Sequence, residues 1–164
     1  MNYFAFGSNM SVFHLIDLLT EHGDGVDDLK NPRRAVLRGY RLRTNYYSGA
    51  HRAGAANIES AEDHNVEGVV MGISEGVRDI LRAKEGFPAC YEEIAIKVQT
   101  STGSVPAYTY VVSPARQLAV DLPVTPAYRQ TILDGARMFQ FSQNYQRYLQ
   151  RALKPIRSMI SVEG

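Results

Sequence analysis

The sequence predicts an α+β domain whose sheet is mixed or mostly antiparallel. Apolar residues recur at helical spacing near both ends of the chain, whereas strand-like patterns separated by short polar turns fill its middle. Strands and helices do not alternate regularly, which excludes the repeating βαβ order of a parallel sheet. The chain has 164 residues, 45% of them hydrophobic and 21% charged, so residues 1–164 suffice for a single domain with its own core.

Charge and composition exclude several classes of partner. The formal net charge is +1, which indicates no overall attraction to nucleic acids or membrane surfaces. No apolar run approaches the ~20 residues that span a bilayer, and no signal-peptide pattern opens the sequence. Cys90 is the single cysteine, so an internal disulfide and a cysteine-rich metal site are excluded. We expect a cytoplasmic protein that binds neither nucleic acid nor membrane and needs no metal or cofactor.

The N-terminal stretch predicts a strand, a turn and a helix in direct succession. The aromatic run Tyr3–Phe6 has strand composition, and Gly7–Asn9 suits a tight turn with exposed backbone amides. Ser11 is a suitable N-cap for a helix whose apolar stripe begins at Val12 and which stops in a loop at residues 22–25. Such a turn directs N–H groups and a helix dipole toward one point, where a carboxylate would bind. An ordinary connection without a ligand fits the same pattern.

The middle of the chain predicts strands joined by polar segments. The predicted strands are Ala35–Tyr47, Ala55–Glu59, Val66–Ile73, a segment from about Tyr91 to Val98, and Val105–Val112. The predicted connections are Val26–Arg34, Ser48–Gly54 and Ser60–Asn65. Glycines inside the third strand indicate a bulge, a bend or a close approach of another backbone.

Three further helices are predicted from their end signals. The second begins after Ser74 and ends at Gly86. The third begins at Thr125 with proline in its first position, and the fourth is capped by Ser142. The segment Ser113–Pro123 is predicted to be irregular, and the last residues are predicted to fray.

Glu85 is the carboxylate best suited to acid–base chemistry. It ends the second predicted helix, where the negative end of the helix dipole disfavours an ionised carboxylate. Apolar neighbours would raise its pKa further, and a glutamate tuned in this way accepts and returns a proton near neutral pH. The alternative is a surface glutamate paired with Arg82 or Lys84.

Three stretches of the sequence resemble motifs of the gamma-glutamylcyclotransferase-like family, which includes plant avirulence-induced-gene-like proteins. Residues 3–10 resemble the signature Tyr-Phe-Ala-Tyr-Gly-Ser-Asn-Leu/Met, with Phe6 where many members have tyrosine. Residues 81–91 resemble a motif in which a helix ends in Glu-Gly and a tyrosine then starts a strand. Residues 125–136 are similar to the family's Pro-x-x-Tyr…Ile…Gly-Ala helix. The three matches occur in family order.

This resemblance implies a small mixed-sheet barrel with flanking helices and a role for specific residues. Glu85 corresponds to the catalytic acid/base of the family. The implied substrate-binding residues are Tyr3, Phe4, Ala5, Phe6, Gly7, Ser8, Asn9, Tyr91 and Tyr128. From sequence alone, the two later tyrosines are equally well interpreted as core packing, and Phe6 lacks the hydroxyl of the common tyrosine.

The implied activity is a γ-glutamyl cyclotransferase reaction, a transferase- or lyase-type step related to glutathione metabolism. The α-amine of a small γ-glutamyl compound attacks its own γ-carbonyl, releasing 5-oxoproline and a free amine, amino acid or peptide. The nucleophile belongs to the substrate, which fits a chain without a convincing Ser or Cys triad. A non-catalytic or divergent small-ligand-binding module of the same fold remains open, as does cleavage of a γ-glutamyl group from a larger intermediate.

Other patterns favour structural interpretations. Arginines interleaved with tyrosines between residues 33 and 47 fit single-stranded nucleic acid or a solvated strand face, and the net charge favours the latter. The four histidines have no metal-ligand spacing. Cys90 is a nucleophile candidate, but a small buried side chain is favoured. Substrate specificity is expected in the segments Ser48–Gly54, Ala61–Asn65 and Ser113–Pro123, and no pattern indicates an oligomeric state.

Overall fold

A computed structural model describes residues 1–23 and 26–157, in which five strands close into a barrel. The strands are β1 (Asn2–Ala5), β2 (Leu29–Ser48), β3 (Ala53–Ile73), β4 (Tyr91–Thr100) and β5 (Gly103–Val112). Their order around the barrel is β1-β3-β2-β4-β5, and all neighbours are antiparallel except β1 and β5, which pair in parallel through Tyr3 and Tyr108. The α+β class and the mixed barrel implied by the family resemblance are both confirmed.

Four helices flank the barrel, and each begins at the predicted capping residue. The helices are α1 (Val12–Glu21), α2 (Glu75–Glu85), α3 (Pro126–Met138) and α4 (Gln143–Ala152). The capping side chains are Ser11, Ser74, Thr125 and Ser142, and each accepts a hydrogen bond from the amide three residues later. Gly86 ends α2 in the left-handed conformation, with φ of 65°. These ends were predictable because capping depends on residues within one turn of each other.

The predicted loop at Ser60–Asn65 is wrong, because β3 continues through it as one strand of 21 residues. Arg38 pairs with Asn65 and Tyr40 pairs with Ser60, so residues 61–64 form a bulge on β3 opposite Gly39. The bulge residues are mostly exposed, which explains their polar composition without a break in the strand.

β2 also begins earlier than predicted, at Leu29, within the segment predicted as the connection Val26–Arg34. Leu29 and Lys30 pair with Ile73 and Gly72, so long-range pairing overrides a local composition that is poor for a strand. Residues 24–25 of the predicted loop after α1, and residues 158–164 of the predicted frayed end, lie outside the described residues.

Two glycines allow the N-terminal segment to pack closely against the rest of the fold. A Cβ on Gly68 of β3 would lie 2.4 Å from the Ala5 carbonyl oxygen and 2.5 Å from Cζ of Phe4. A Cβ on Gly135 of α3 would lie 3.0 Å from Cβ of Met10. The prediction that a strand glycine marks a close backbone approach is therefore confirmed at Gly68. Because Gly68 and Gly135 have no side chain, β1 and the turn after it can pack directly against β3 and α3.

Among the described residues, no helix combines the length and the apolar character that crossing a membrane requires.

Candidate active site

A cavity of about 400 Å³ lies where the end of β1, the C-terminal end of α2, the start of β4 and the first turn of α3 come together. All three motif stretches contribute to its lining. The implied site residues that line it are Tyr3, Phe6, Gly7, Ser8, Asn9, Glu85, Tyr91 and Tyr128. A cavity of this size is typical of a small-molecule site.

Phe4 and Ala5 are not among the residues that line the cavity. The side chain of Phe4 is fully buried in the core next to Gly68, and Ala5 is also buried. Their side chains therefore do not face the cavity, and a role of Phe4 and Ala5 in substrate binding stays a prediction. These two residues hold β1 against β3, and a motif shared for packing reasons cannot be distinguished by sequence from one shared for binding.

Glu85 faces the cavity, and its carboxylate is joined to the N-terminal turn. Nδ2 of Asn9 donates a hydrogen bond to Oε1 of Glu85 over 3.3 Å. Burial raises the pKa of Glu85, while the charge of Lys84 and the hydrogen bond from Asn9 act in the opposite direction without cancelling the rise. The alternative interpretation paired Glu85 with Arg82 or Lys84, but Arg82 pairs with Glu93 and Nζ of Lys84 donates to Asn9, so among the described residues neither forms an ion pair with Glu85. Glu85 is thus a half-buried acid in a cleft.

Asn9 connects three side chains of the site. Its Nδ2 also donates to the hydroxyl of Tyr3 over 2.9 Å, and its Oδ1 accepts a hydrogen bond from Nζ of Lys84. A lysine ammonium only donates, so this contact determines which end of the Asn9 amide carries the oxygen. Asn9 is itself buried, so its rotation would break contacts with Tyr3, Lys84 and Glu85 together.

The turn after β1 differs in detail from the prediction. A 3-10 turn, Ser8–Met10, lies between the strand and α1, so the turn does not run directly into the α-helix. The amides of Met10 and Ser11 donate to the carbonyls of Gly7 and Ser8. Within the described part of the chain, the amides of residues 7–9 donate to no protein acceptor. Donors for an anionic group therefore come from the turn itself rather than from the end of α1.

Tyr91 and Tyr128 both bind the backbone of Ala56. The hydroxyl of Tyr91 donates to the Ala56 carbonyl over 3.2 Å, and the Ala56 amide donates to the hydroxyl of Tyr128 over 2.9 Å. The register of β2 and β3 shifts between Arg43 and Tyr46, which places Ala56 at a bulge in the ladder. Burial raises the pKa of both phenols, so both remain protonated at neutral pH.

The two phenols therefore offer opposite hydrogen-bonding groups. The proton of Tyr91 is used on Ala56, so its oxygen is left to accept. The oxygen of Tyr128 accepts from Ala56, so its proton is left to donate. The sequence left open whether these tyrosines face the substrate or pack in the core. Both are buried and both also line the cavity, so the two interpretations are compatible.

The structure adds cavity residues that sequence reasoning missed. They are His14, Tyr46, Ser48, His51, Lys84 and Tyr110. The ring of His51 lies against the ring of Tyr128, with centroids 4.9 Å apart. They come from α1, α2, β2, β5 and the β2–β3 turn and meet only in the closed barrel, so no local pattern indicates that they share a site. Ser48 and His51 belong to the segment Ser48–Gly54, for which a role in specificity was expected, but the sequence did not single them out within it. Of the three segments expected to carry specificity, only the one at residues 48–54 supplies lining residues near the mouth.

Two other candidates of the sequence take defined positions. Cys90 is half-buried and lines the cavity beside Gly86, whose added Cβ would lie 3.1 Å from its Sγ. Several arginines of β2 make ion pairs: Arg34 with Glu67, and Arg41 and Arg43 with Glu59. In residues 1–23 and 26–157, no group of three or more His, Cys, Asp or Glu side chains could hold a metal ion.

Comparison with known proteins gives a family and a fold. A family model described as gamma-glutamyl cyclotransferase, AIG2-like, matches residues 3–130. No curated protein matches the chain.

Solved structures resemble this fold over nearly the whole chain. One is a gamma-glutamyl cyclotransferase with a TM-score of 0.81 and 22% identity, covering 97% of this chain and 90% of that one. An uncharacterized human protein has a TM-score of 0.78 and 24% identity, covering 96% and 89%. A yeast gamma-glutamyl cyclotransferase specific to glutathione has a TM-score of 0.62 and 13% identity, covering 93% and 95%. At these identities the similarity shows the fold alone.

Proposed function

The chain belongs to the gamma-glutamyl cyclotransferase, AIG2-like family, and we propose that it releases 5-oxoproline from a small γ-glutamyl compound with Glu85 as general acid/base. The observation that carries this proposal is the hydrogen bond from Asn9 to Glu85, which joins the motif turn to a half-buried acid inside one cavity. A carboxylate with a raised pKa next to a cluster of hydrogen-bond donors is suited to moving a proton during an intramolecular acyl transfer.

The covalent chemistry takes place within the substrate. The nitrogen of the α-amine attacks the γ-carbonyl carbon, a new C–N bond closes the five-membered lactam, and the bond to the leaving nitrogen breaks. No water and no protein nucleophile enter the balance. The protein has to hold the γ-glutamyl chain folded, and such positioning contributes several kcal/mol to lowering the barrier, on the order of 7–11 in the best intramolecular cases.

Glu85 moves the proton. The α-ammonium of the bound substrate gives a proton to the Glu85 carboxylate, and the neutral amine then attacks. Glu85 passes this proton to the leaving nitrogen as its bond to carbon breaks. The second proton that the ring nitrogen has to lose goes to Glu85 and from there to the released amine, so Glu85 ends ionised and the amine leaves as an ammonium. Burial raises the pKa of Glu85, which makes the carboxylate a stronger base toward the ammonium. A positioned acid/base of this kind is typically worth about 10²–10⁴-fold in rate.

The remaining polar groups of the cavity hold the charges of the substrate. The amides of Gly7–Asn9 and the hydroxyl proton of Tyr128 are donors for the α-carboxylate and for the negative charge that develops on the γ-carbonyl oxygen. The hydroxyl oxygen of Tyr91 is an acceptor for the α-ammonium. These groups surround Glu85 from β1, β4 and α3, so the substrate folds between them.

A panel of γ-glutamyl amino acids, peptides and amines tests the proposal, with 5-oxoproline measured by mass spectrometry. We expect at least one member to turn over, and Glu85→Gln to lower kcat by about 10²–10⁴-fold. Glutamine retains the oxygen that accepts from Asn9 but cannot carry the proton. Glu62→Gln, on the exposed bulge of β3, is the matched control and keeps full activity. A Glu85→Gln variant as active as the parent would contradict the role of Glu85.

A second function is favoured by one observation, the replacement of the common motif tyrosine by Phe6 in the cavity lining. Loss of that hydroxyl suits a divergent module that binds a γ-glutamyl compound without cyclising it. The same panel distinguishes the two functions, because binding by calorimetry without release of 5-oxoproline supports the module. In that case Phe6→Tyr tests whether the missing hydroxyl is the cause.

A further inference from the structure

The exposure of the lining residues divides the cavity into a floor and a mouth. The floor is buried and consists mainly of aromatic side chains, small residues and Asn9, while Glu85 is half-buried above it. The exposed side chains of the lining beyond Glu85 are those of His14, Ala50, His51, Ala83 and Lys84. The mouth is therefore basic, and within the described lining Glu85 is the one acidic residue.

Three elements bring these basic side chains together. His14 lies in the first turn of α1, Lys84 lies near the end of α2, and His51 lies in the turn between β2 and β3. Nζ of Lys84 is 3.4 Å from Nε2 of His14. Burial lowers the pKa of both histidines and of Lys84; the Lys84 charge lowers the pKa of the histidines further, whereas the Glu85 charge raises the pKa of Lys84. We assign the positive charge of the mouth to Lys84, because a lysine ordinarily has a pKa far above that of an imidazole.

The division of the cavity into a buried floor and a basic mouth indicates which end of a bound substrate lies in each part. The reacting γ-carbonyl has to lie within reach of Glu85, and the glutamyl part is the portion that folds, so it belongs in the buried floor with Tyr91 and Tyr128. The leaving group then extends past Glu85 toward Lys84, His14 and His51. A cationic leaving group would meet like charge there, whereas a carboxylate would meet an ammonium and two imidazoles.

We infer, on the basis of the proposed function, that Lys84, His14 and His51 form a subsite for a carboxylate on the leaving group. The preferred substrates are therefore γ-glutamyl compounds of amino acids or peptides rather than of simple amines. Lys84 has three N–H donors, of which the contacts with Asn9 and His14 use two, so one is left for the substrate. Each neutral imidazole supplies one further N–H donor without adding a charge that would need a partner; in His14 this is Nδ1–H, because Nε2 accepts from Lys84.

The test compares two probes that differ only at this group, γ-glutamyl-alanine and γ-glutamyl-alaninamide. The parent protein is expected to prefer the acid by about tenfold or more in kcat/KM, the range of a hydrogen bond to a charged group. Lys84→Gln is expected to bring this ratio close to one, while Lys84→Arg retains the preference. Lys97→Gln, on the exposed side of β4, is the matched control and leaves the ratio unchanged. Replacing Lys84 also changes the pKa of Glu85, but this change affects both probes alike and cancels in the ratio of their kcat/KM values.

Several outcomes would overturn the subsite. Equal kcat/KM values for the two probes in the parent would do so. An unchanged ratio in Lys84→Gln, with both probes slowed alike, would assign Lys84 to the glutamyl carboxylate instead. If neither probe nor any other panel member releases 5-oxoproline, the proposed function fails, and calorimetric binding of the same two probes then decides on the subsite. A preference for the acid that Lys84→Gln abolishes supports it, and equal or undetectable binding of both probes rejects it.

Discussion

At the scale of single residues, Glu85 shows how an acid suited to catalysis opposes stability. Burial raises its pKa in the folded protein above the value of the unfolded chain. A carboxyl group shifted in this direction contributes stability below its unfolded pKa and loses that contribution as the pH rises through its folded pKa. At neutral pH the ionised form of Glu85 is therefore a cost to folding.

Replacing this charge is expected to stabilise the protein. Glu85→Gln keeps the acceptor for Asn9 and removes the partly desolvated charge, so the free energy of unfolding at pH 7 should exceed that of the parent. The difference should shrink as the pH falls toward the unfolded pKa of glutamate, because the parent's carboxyl is then protonated. Urea unfolding of both proteins at pH 7 and near pH 4 measures the effect. A variant less stable than the parent at pH 7 would mean that the charge is stabilised in the folded state.

The hydroxyl of Tyr128 is expected to contribute to stability, because it accepts a hydrogen bond from a backbone amide. Tyr128→Phe leaves the amide of Ala56 without its acceptor in a buried position, and we expect a loss of about 1–3 kcal/mol in the free energy of unfolding. Tyr145→Phe is the matched control, because Tyr145 is equally buried and its hydroxyl has no hydrogen-bond partner among the described residues. That variant should stay within about 0.5 kcal/mol of the parent. Chemical denaturation compares them, and similar losses in both would show that ring packing rather than the amide contact is measured.

At the scale of elements, the site depends on how closely β1 lies over β3. The 3-10 turn that carries Asn9 follows β1 directly, so a displacement of the strand moves the turn relative to Glu85. Gly68 allows this approach, because the Ala5 carbonyl oxygen occupies the space that a Cβ would need. The close packing of β1 on β3, and with it the position of Asn9, thus requires a residue without a side chain at position 68.

Gly68→Ala is therefore expected to destabilise the protein by about 2 kcal/mol or more, as overpacking of a core typically does. Gly76→Ala is the matched control, because Gly76 lies in α2 with its nearest neighbouring atom 3.8 Å from the added Cβ. It should stabilise the protein by about 0.5–1 kcal/mol through helix propensity. Urea unfolding measures both variants. Equal small effects would mean that β1 shifts away from β3 without cost.

At the scale of the whole molecule, the cavity exists because the barrel closes. Asn9 and Glu85 are 76 positions apart in the sequence, and Ala56 and Tyr128 are 72 apart. The parallel pairing of β1 with β5 completes the barrel and brings the N-terminal segment against elements from the middle of the chain. The proposed proton transfer and substrate positioning therefore depend on contacts that form only in the complete fold.

Much of this fold was predictable, and the errors have physical causes. The caps of all four helices and the β4–β5 hairpin depend on neighbouring residues, so the sequence predicted them. The polar bulge at residues 61–64 was predicted as a loop because exposure and chain reversal produce similar compositions. The family motifs predicted Glu85 and Asn9, which line the cavity, but they also included Phe4 and Ala5, which pack in the core. No local pattern predicts that Lys84, His14 and His51 meet, because they lie on three separate elements.

By itself, the sequence determined the local elements and their ends, because these depend on residue types within a turn or a strand, and its resemblance to a family gave Glu85 as the candidate acid. Only the tertiary structure decided which side chains surround Glu85, and the proposed path of its proton and the proposed direction of the leaving group depend on those neighbours. The physical reason is that hydrogen bonds and charges act over a few ångströms in space, and only closure of the barrel brings distant segments within that range.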